Sequence, residues 1–156
     1  MKLKVFVIAI GAVLMSSCGS GEKKEEKASV PVEVKEVVEV DPIQDKGIGP
    51  ITSIALTEID EAMAAEGKAI FVAKCSACHK ISKRVVGPAL VGVTERRSPE
   101  WIMNMILNPE VMVAENPIAK KLLAEYLAPM ANQNLTEKEA RLILEYFRTK
   151  TSSSDE

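Results

Sequence analysis

The chain has a single histidine, His79, among 156 residues, and that scarcity is its most restrictive feature. A Ser-His-Asp triad or a multi-histidine metal centre would have to be built on that one imidazole. Cysteine is almost as rare: Cys18, Cys75 and Cys78 allow at most one bridge, which excludes the disulfide framework of small secreted domains. Aromatic residues make up only 4% of the chain against 47% hydrophobic residues overall, so the core is either aliphatic or completed by something other than side chains. The formal charge of −2 lacks the basic excess of a nucleic-acid binder. No apolar run reaches the 18–20 residues of a membrane-spanning helix, and the length suits one ordinary domain with appendages.

The N-terminus reads as an address. Lys2 and Lys4 precede an apolar run over residues 5–15, followed by Ser16, Ser17 and Cys18, the three parts of an export signal. Leu14-Met15-Ser16-Ser17-Cys18 resembles a bacterial lipobox, with Met15 in place of the usual leucine. The expectation is therefore a signal over residues 1–17, cleavage before Cys18, and acyl chains on Cys18 that take this thiol out of redox work and anchor the chain to a membrane. Residues 18–56 are expected to be a flexible tether. The stretch is rich in Glu, Lys, Val, Pro and Gly, and residues 19–50 carry a net charge of −3. The alternating valines of residues 30–40 also fit a strand, but Pro31 and Pro42 bracket them and the chain offers no partner strand. A coil of about 37 residues would reach roughly 30–35 Å.

From residue 57 to residue 150 the pattern is helical, with a net charge of +1, ahead of a polar tail over residues 151–156. Thr57 is the expected cap of a first helix ending at Lys74, with Ile59, Met63, Ile70 and Ala73 as its apolar stripe. Ser98-Pro99-Glu100 opens a second helix through Trp101, Ile102, Met105 and Ile106, which Asn108-Pro109 stops. A third runs from Pro117 through Ile118, Leu122, Leu123 and Leu127, ending before Pro129. The fourth begins at the capping box Thr136-Glu137-Lys138-Glu139, with Ala140, Ile143, Leu144 and Phe147 on one face. No segment asks for a sheet, so the fold class is all-α.

The chemistry sits at Cys75-Ser76-Ala77-Cys78-His79. Two thiols three residues apart can add across the two vinyl groups of a haem, and the following histidine then ligates the iron; this is the attachment signature of haem c. A zinc site would need a fourth ligand, and the folded part has no further cysteine or histidine. A thioredoxin-like dithiol would need a βαβ surround.

Around this motif, Gly67-Lys68-Ala69-Ile70-Phe71, Gly87-Pro88-Ala89-Leu90, Met130 and Tyr146 resemble the class I monohaem cytochromes c over residues 57–150. The resemblance implies about four helices wrapped around one covalent haem. It implies packing of Gly67 and Phe71 against Tyr146, a Pro88 carbonyl that accepts the His79 ring N–H, and Leu90 on the haem face. Met130, 51 residues after His79, is the implied sixth ligand, with Met103, Met105 and Met112 as rivals. Trp101 is either plain core or a donor to the haem propionates.

His/Met ligation saturates the iron, which leaves one-electron transfer between a quinol-oxidising complex and a terminal oxidase or denitrification-type reductase. Lys74, Lys80, Lys83, Arg84, Arg96 and Arg97, with Glu95 the only acid among them, form either a solvated face or a steering ring for an acidic partner. The alternative function is a haem-based small-ligand binder or sensor with an open or labile sixth position. A peroxidase is disfavoured because no second histidine remains for distal acid-base work. The chain is expected to be a monomer.

Overall fold

Glu61–Lys74 form the first helix, α1, and Glu137–Arg148 the last, α6, of a computed structural model that describes residues 41–154. Between them lie α2 (Val93–Arg96), α3 (Pro99–Leu107), α4 (Pro109–Glu115) and α5 (Pro117–Tyr126). A 3₁₀ turn at Ser152–Ser154 follows. Among the described residues there is no strand, and no helix is long and apolar enough to cross a membrane. The export signal, Cys18 and the alternating valines lie outside the described residues.

The central packing is α1 against α6. Both N-termini carry a side-chain cap. Asp60 caps α1 by accepting the Met63 N–H at 3.0 Å. At α6 the Thr136 hydroxyl accepts the Glu139 N–H at 3.2 Å, and the Glu139 carboxylate returns a bond to the Thr136 N–H at 2.8 Å. The buried face of α1 is Ala64, Gly67 and Phe71. A Cβ on Gly67 would run into the Leu142 carbonyl and the Ile143 backbone N–H, so only glycine lets the two helices cross this closely. One turn on, the Phe71 ring meets Tyr146 at 5.6 Å and Phe147 at 5.7 Å between centroids. Gly67, Phe71 and Tyr146 therefore pack as the sequence implied.

Several boundaries moved. Helix α1 starts at Glu61 and not at Thr57, because α6 holds the preceding segment extended: the Glu145 carboxylate accepts the Asp60 N–H at 2.9 Å and Arg148 donates to the Thr57 carbonyl at 2.6 Å. Ile59 and Ala73 accordingly leave the buried stripe. Pro109 ends α3 but also opens α4, as a proline at the first helical position can, and Leu127 is the exposed left-handed C-cap of α5 (φ 54°), not part of its buried face. With α2, the described helices number six where about four were expected. The polar tail folds back, Ser152 donating to Glu95 through its N–H (3.0 Å) and its hydroxyl (2.6 Å).

The larger correction concerns the tether. Residues 45–54, expected to be flexible coil, lie as a strap across α3. Asn104, nearly sealed from solvent, accepts the Ile51 N–H at 3.0 Å and donates to the carbonyls of Lys46 and Ile51, both at 2.9 Å. Glu100 accepts the Ile54 N–H at 3.1 Å, and Ile51 itself is buried.

Glu145 is the one fully buried carboxylate of the α1–α6 seam, held by Arg141, by Arg148 at 2.6 Å and by the Asp60 N–H. Burial alone would raise its pKa; the hydrogen bonds from Arg141, Asp60 and Arg148 outweigh that and hold it below the ordinary glutamate range. A lowered native pKa gives stability that is complete above the unfolded value near 4.3 and is lost as pH falls through the lower native value. Glu145→Gln should therefore cost about 2–3 kcal/mol at pH 7, and urea titrations between pH 7 and 3 should show the difference from wild type closing in acid. Gly67→Ala should lower the urea midpoint by an amount worth about 1–3 kcal/mol, although alanine is the better helix former by about 1 kcal/mol; a gain in stability would mean the crossing is looser than described.

Candidate functional site

The end of α1 delivers the attachment motif. The N–H groups of Cys75 and Ser76 both reach back to the Phe71 carbonyl, at 2.9 and 3.0 Å, and the Ser76 hydroxyl closes onto the Val72 carbonyl at 2.6 Å. The chain then turns tightly, with Cys78 and His79 N–H groups both on the Cys75 carbonyl at 3.1 and 3.0 Å. This turn brings Cys75, Cys78 and His79 to the wall of one cavity of about 580 Å³. Burial first, then the neighbouring Cys78, push the Cys75 thiol up from its ordinary value.

The loop after His79 is tied down by backbone bonds, Gly87 N–H to the Cys78 carbonyl at 2.9 Å and Leu90 N–H to the Ile81 carbonyl at 2.9 Å. These bonds place the Pro88 carbonyl 3.2 Å from His79 Nδ1. Proline has no N–H of its own, and its carbonyl takes the ring proton, which leaves the Nε2 lone pair free for a metal. Gly87 stood in the sequence motif without a role of its own; a Cβ there would fall on the imidazole, so the glycine lets backbone and ring touch. Its signal lay in the Gly-Pro pair eight residues past the histidine.

The cavity brings together every site residue proposed for the folded part: Cys75, Cys78, His79, Pro88, Leu90, Trp101 and Met130. Of the rival methionines, Met103 and Met112 are buried elsewhere, whereas Met105 shares the cavity wall with Met130. Trp101 lines the wall, but its indole N–H donates to Asn116 Oδ1 at 3.2 Å, so the donor expected for a propionate is engaged within the protein. Arg96 and Arg97 line the cavity too, the latter with its guanidinium 5.2 Å from the Trp101 ring centroid. Lys74 and Arg84 also line the cavity, while Lys80 and Lys83 lie outside it on the surface. Arg84 joins two sides of the site, its guanidinium 4.2 Å from the Tyr126 ring centroid and 3.4 Å from the Glu125 carbonyl.

The donor set fits a covalently held haem. Two thiols and one oriented imidazole stand at one edge of a cavity walled by Phe71, Ile102, Ile106, Leu122, Ile143 and Phe147, apolar groups suited to the faces of a macrocycle. Among the described residues no cluster of three His, Cys, Asp or Glu side chains is gathered as a metal site.

Comparison with known proteins identifies the family. A cytochrome c from Rhodothermus marinus is 45% identical, with a TM-score of 0.64, over 65% of this chain and 88% of its own. An engineered form of that cytochrome bound to a carbene intermediate is likewise 45% identical over the same shares of the two chains, with a TM-score of 0.61. A cytochrome c-553-like protein of Synechocystis sp. is 36% identical over 66 residues, 39% of this chain and 63% of the relative, so the match leaves over a third of that relative uncovered. Residues 64–151 match the family model for cytochrome c, more than half of the chain, and the chain therefore belongs to the cytochrome c family, whose haem c is held covalently through cysteines.

Proposed function

We propose that the protein is a one-electron carrier, tethered to a bacterial membrane through lipid on Cys18 and working on its outer, extracytoplasmic side as a monomer. The observation that carries the reading is the pairing of the Cys75-Ser76-Ala77-Cys78-His79 turn with the Pro88 carbonyl at the wall of an apolar cavity that Met130 also lines. Bound there, haem supplies an Fe(III)/Fe(II) couple. Cys75 and Cys78 would hold it through thioethers, and His79 and Met130 would ligate the iron.

Each protein group then has a task. Pro88 fixes the tautomer and orientation of His79 and raises its basicity. As a ligand, the Met130 thioether would favour the ferrous state and so raise the potential. The apolar side chains of the cavity wall, Leu90 among them, would pack against the haem and keep water from its faces. If His79 and Met130 both ligate the iron, no position is left for a substrate, and exchange of a single electron is the chemistry the site would support. The partners are redox proteins, a quinol-oxidising complex upstream and a terminal oxidase or denitrification-type reductase downstream. Lys74, Arg84, Arg96 and Arg97 at the cavity would steer an acidic partner, affecting on-rate more than affinity.

Met130→Ala tests the ligation. The ferric wild type should show the weak near-infrared charge-transfer band of methionine on haem iron, the variant should lose it, and the ferrous variant should bind CO at once. If the wild type lacks the band and binds CO, the iron is open and the small-ligand reading replaces electron transfer. If Met105→Leu loses the band and Met130→Ala keeps it, the ligand is Met105. Steering is checked separately: the bimolecular rate of electron transfer to an acidic redox protein should fall severalfold between about 10 and 150 mM salt, as screening shortens from about 30 to 8 Å. A salt-independent rate removes the steering role.

A further inference from the structure

The strap over residues 45–54 precedes the stretch that matches the cytochrome c family, yet its hydrogen bonds reach two residues that hold Trp101, a member of the cavity wall. Asp45 is the junction. Its carbonyl accepts the Ser98 hydroxyl at 2.6 Å, its Oδ2 accepts the Asn116 amide at 2.7 Å, and its Oδ1 accepts the Gly47 N–H at 2.8 Å. Both of the residues it grips from other elements hold Trp101. Ser98 Oγ accepts the Trp101 backbone N–H at 3.0 Å, and Asn116 Oδ1 accepts the indole N–H at 3.2 Å. Thus both N–H groups of the chain's single tryptophan end on side chains that Asp45 fixes. Gly47, in a left-handed conformation (φ 72°), keeps the strap flat here: a Cβ on it would lie 2.9 Å from the Met112 side chain and 3.4 Å from the Trp101 Cα.

We propose that Asp45 is a positioning residue of the haem pocket, through which the N-terminal strap sets the placement of Trp101 and Arg97 in the cavity wall and thereby the reduction potential of the bound haem. Trp101 and Arg97 both line the cavity and face each other, ring centroid to guanidinium, at 5.2 Å. Burial, and then the neighbouring Arg96, lower the Arg97 pKa, whereas the Asp45 charge acts in the opposite direction, so the strap carboxylate and the wall guanidinium already share a field. Asn116 is buried, and without Asp45 its amide would lack this acceptor, which favours rotation of the side chain and release of the indole. The proposal takes from the preceding section only that haem occupies the cavity, which c-type absorption bands establish before any variant is compared.

The experiment uses full-length, ¹⁵N-labelled ferrous holoprotein, in which one tryptophan gives one indole N–H resonance. Asp45→Ala removes both side-chain acceptors. Asp45→Asn has one oxygen for two donors and loses one of them. Asp41→Asn removes the same charge from an exposed residue whose side chain, among the described residues, bonds the nearby Ile43 N–H at 3.0 Å, and serves as the control. Indole exchange with solvent should speed up at least tenfold in Asp45→Ala and by less in Asp45→Asn, with exchange of the Ile143 amide in α6 unchanged. The midpoint potential should rise in both Asp45 variants and stay at the wild-type value in Asp41→Asn.

Equal midpoints and equal indole exchange in all four proteins would overturn the proposal. So would a midpoint shift of the same size in Asp41→Asn and Asp45→Asn, which would reduce the effect to net charge. If Asp45→Ala exchanges its Ile143 amide as fast as its indole, the domain is opening globally, and Asp45→Asn alone decides: wild-type indole exchange there sinks the proposal.

Discussion

A glycine-sized gap between two helices determines where everything else in this protein can lie. At Gly67 the backbone of α1 meets the backbone of α6 around Leu142 and Ile143, a distance that a methyl group would prevent. Close approach lets Phe71 reach the Tyr146 and Phe147 rings, and this small cluster takes half of the chain's six aromatic residues. Phe71 in turn receives the N–H groups of Cys75 and Ser76, so the attachment motif leaves α1 at an angle dictated by the helix crossing. Buried Glu145 locks the same seam from the other end, holding α1's cap through the Asp60 N–H.

Above that crossing, the loop carrying His79 is shaped by its own backbone. The Gly87 and Leu90 N–H bonds close it, and the Gly-Pro step brings a carbonyl to the imidazole with no side chain between them. The cavity that results is walled by aliphatic and aromatic side chains of α1, α3, α5 and α6. A chain with 4% aromatic residues and a cavity of about 580 Å³ at its centre is one whose core is completed by a prosthetic group, which fits the family's covalent haem.

The opposite face of α3 is closed by the strap, so α3 is buried nearly all round. Asn104 and Glu100 would be unusual in such a position without partners; here they satisfy the backbone of residues 46–54. Trp101 stands between the two faces, with its ring at the cavity and its N–H groups turned to residues gripped by Asp45. One side of the haem pocket therefore depends on a segment outside the stretch matched to the family.

The features legible in the sequence alone were those whose physics is local. The attachment motif, the Gly-Pro step, the capping box at Thr136 and the stripe Ala140, Ile143, Leu144 and Phe147 each lie within a few residues, where covalent spacing and helical periodicity settle the geometry. Even the family pattern of Gly67, Phe71 and Tyr146 could be recognised by residue type. Tertiary structure decided the rest. The strap looks like coil by composition and becomes ordered only through Asn104, Glu100, Ser98 and Asn116, which are 46 to 71 residues away in sequence. The start of α1 was set by Glu145, 85 residues distant, and the partner of the Trp101 indole by an asparagine 15 residues on. A polar side chain announces that it needs a partner, but which backbone group meets it is known only once the chain has folded.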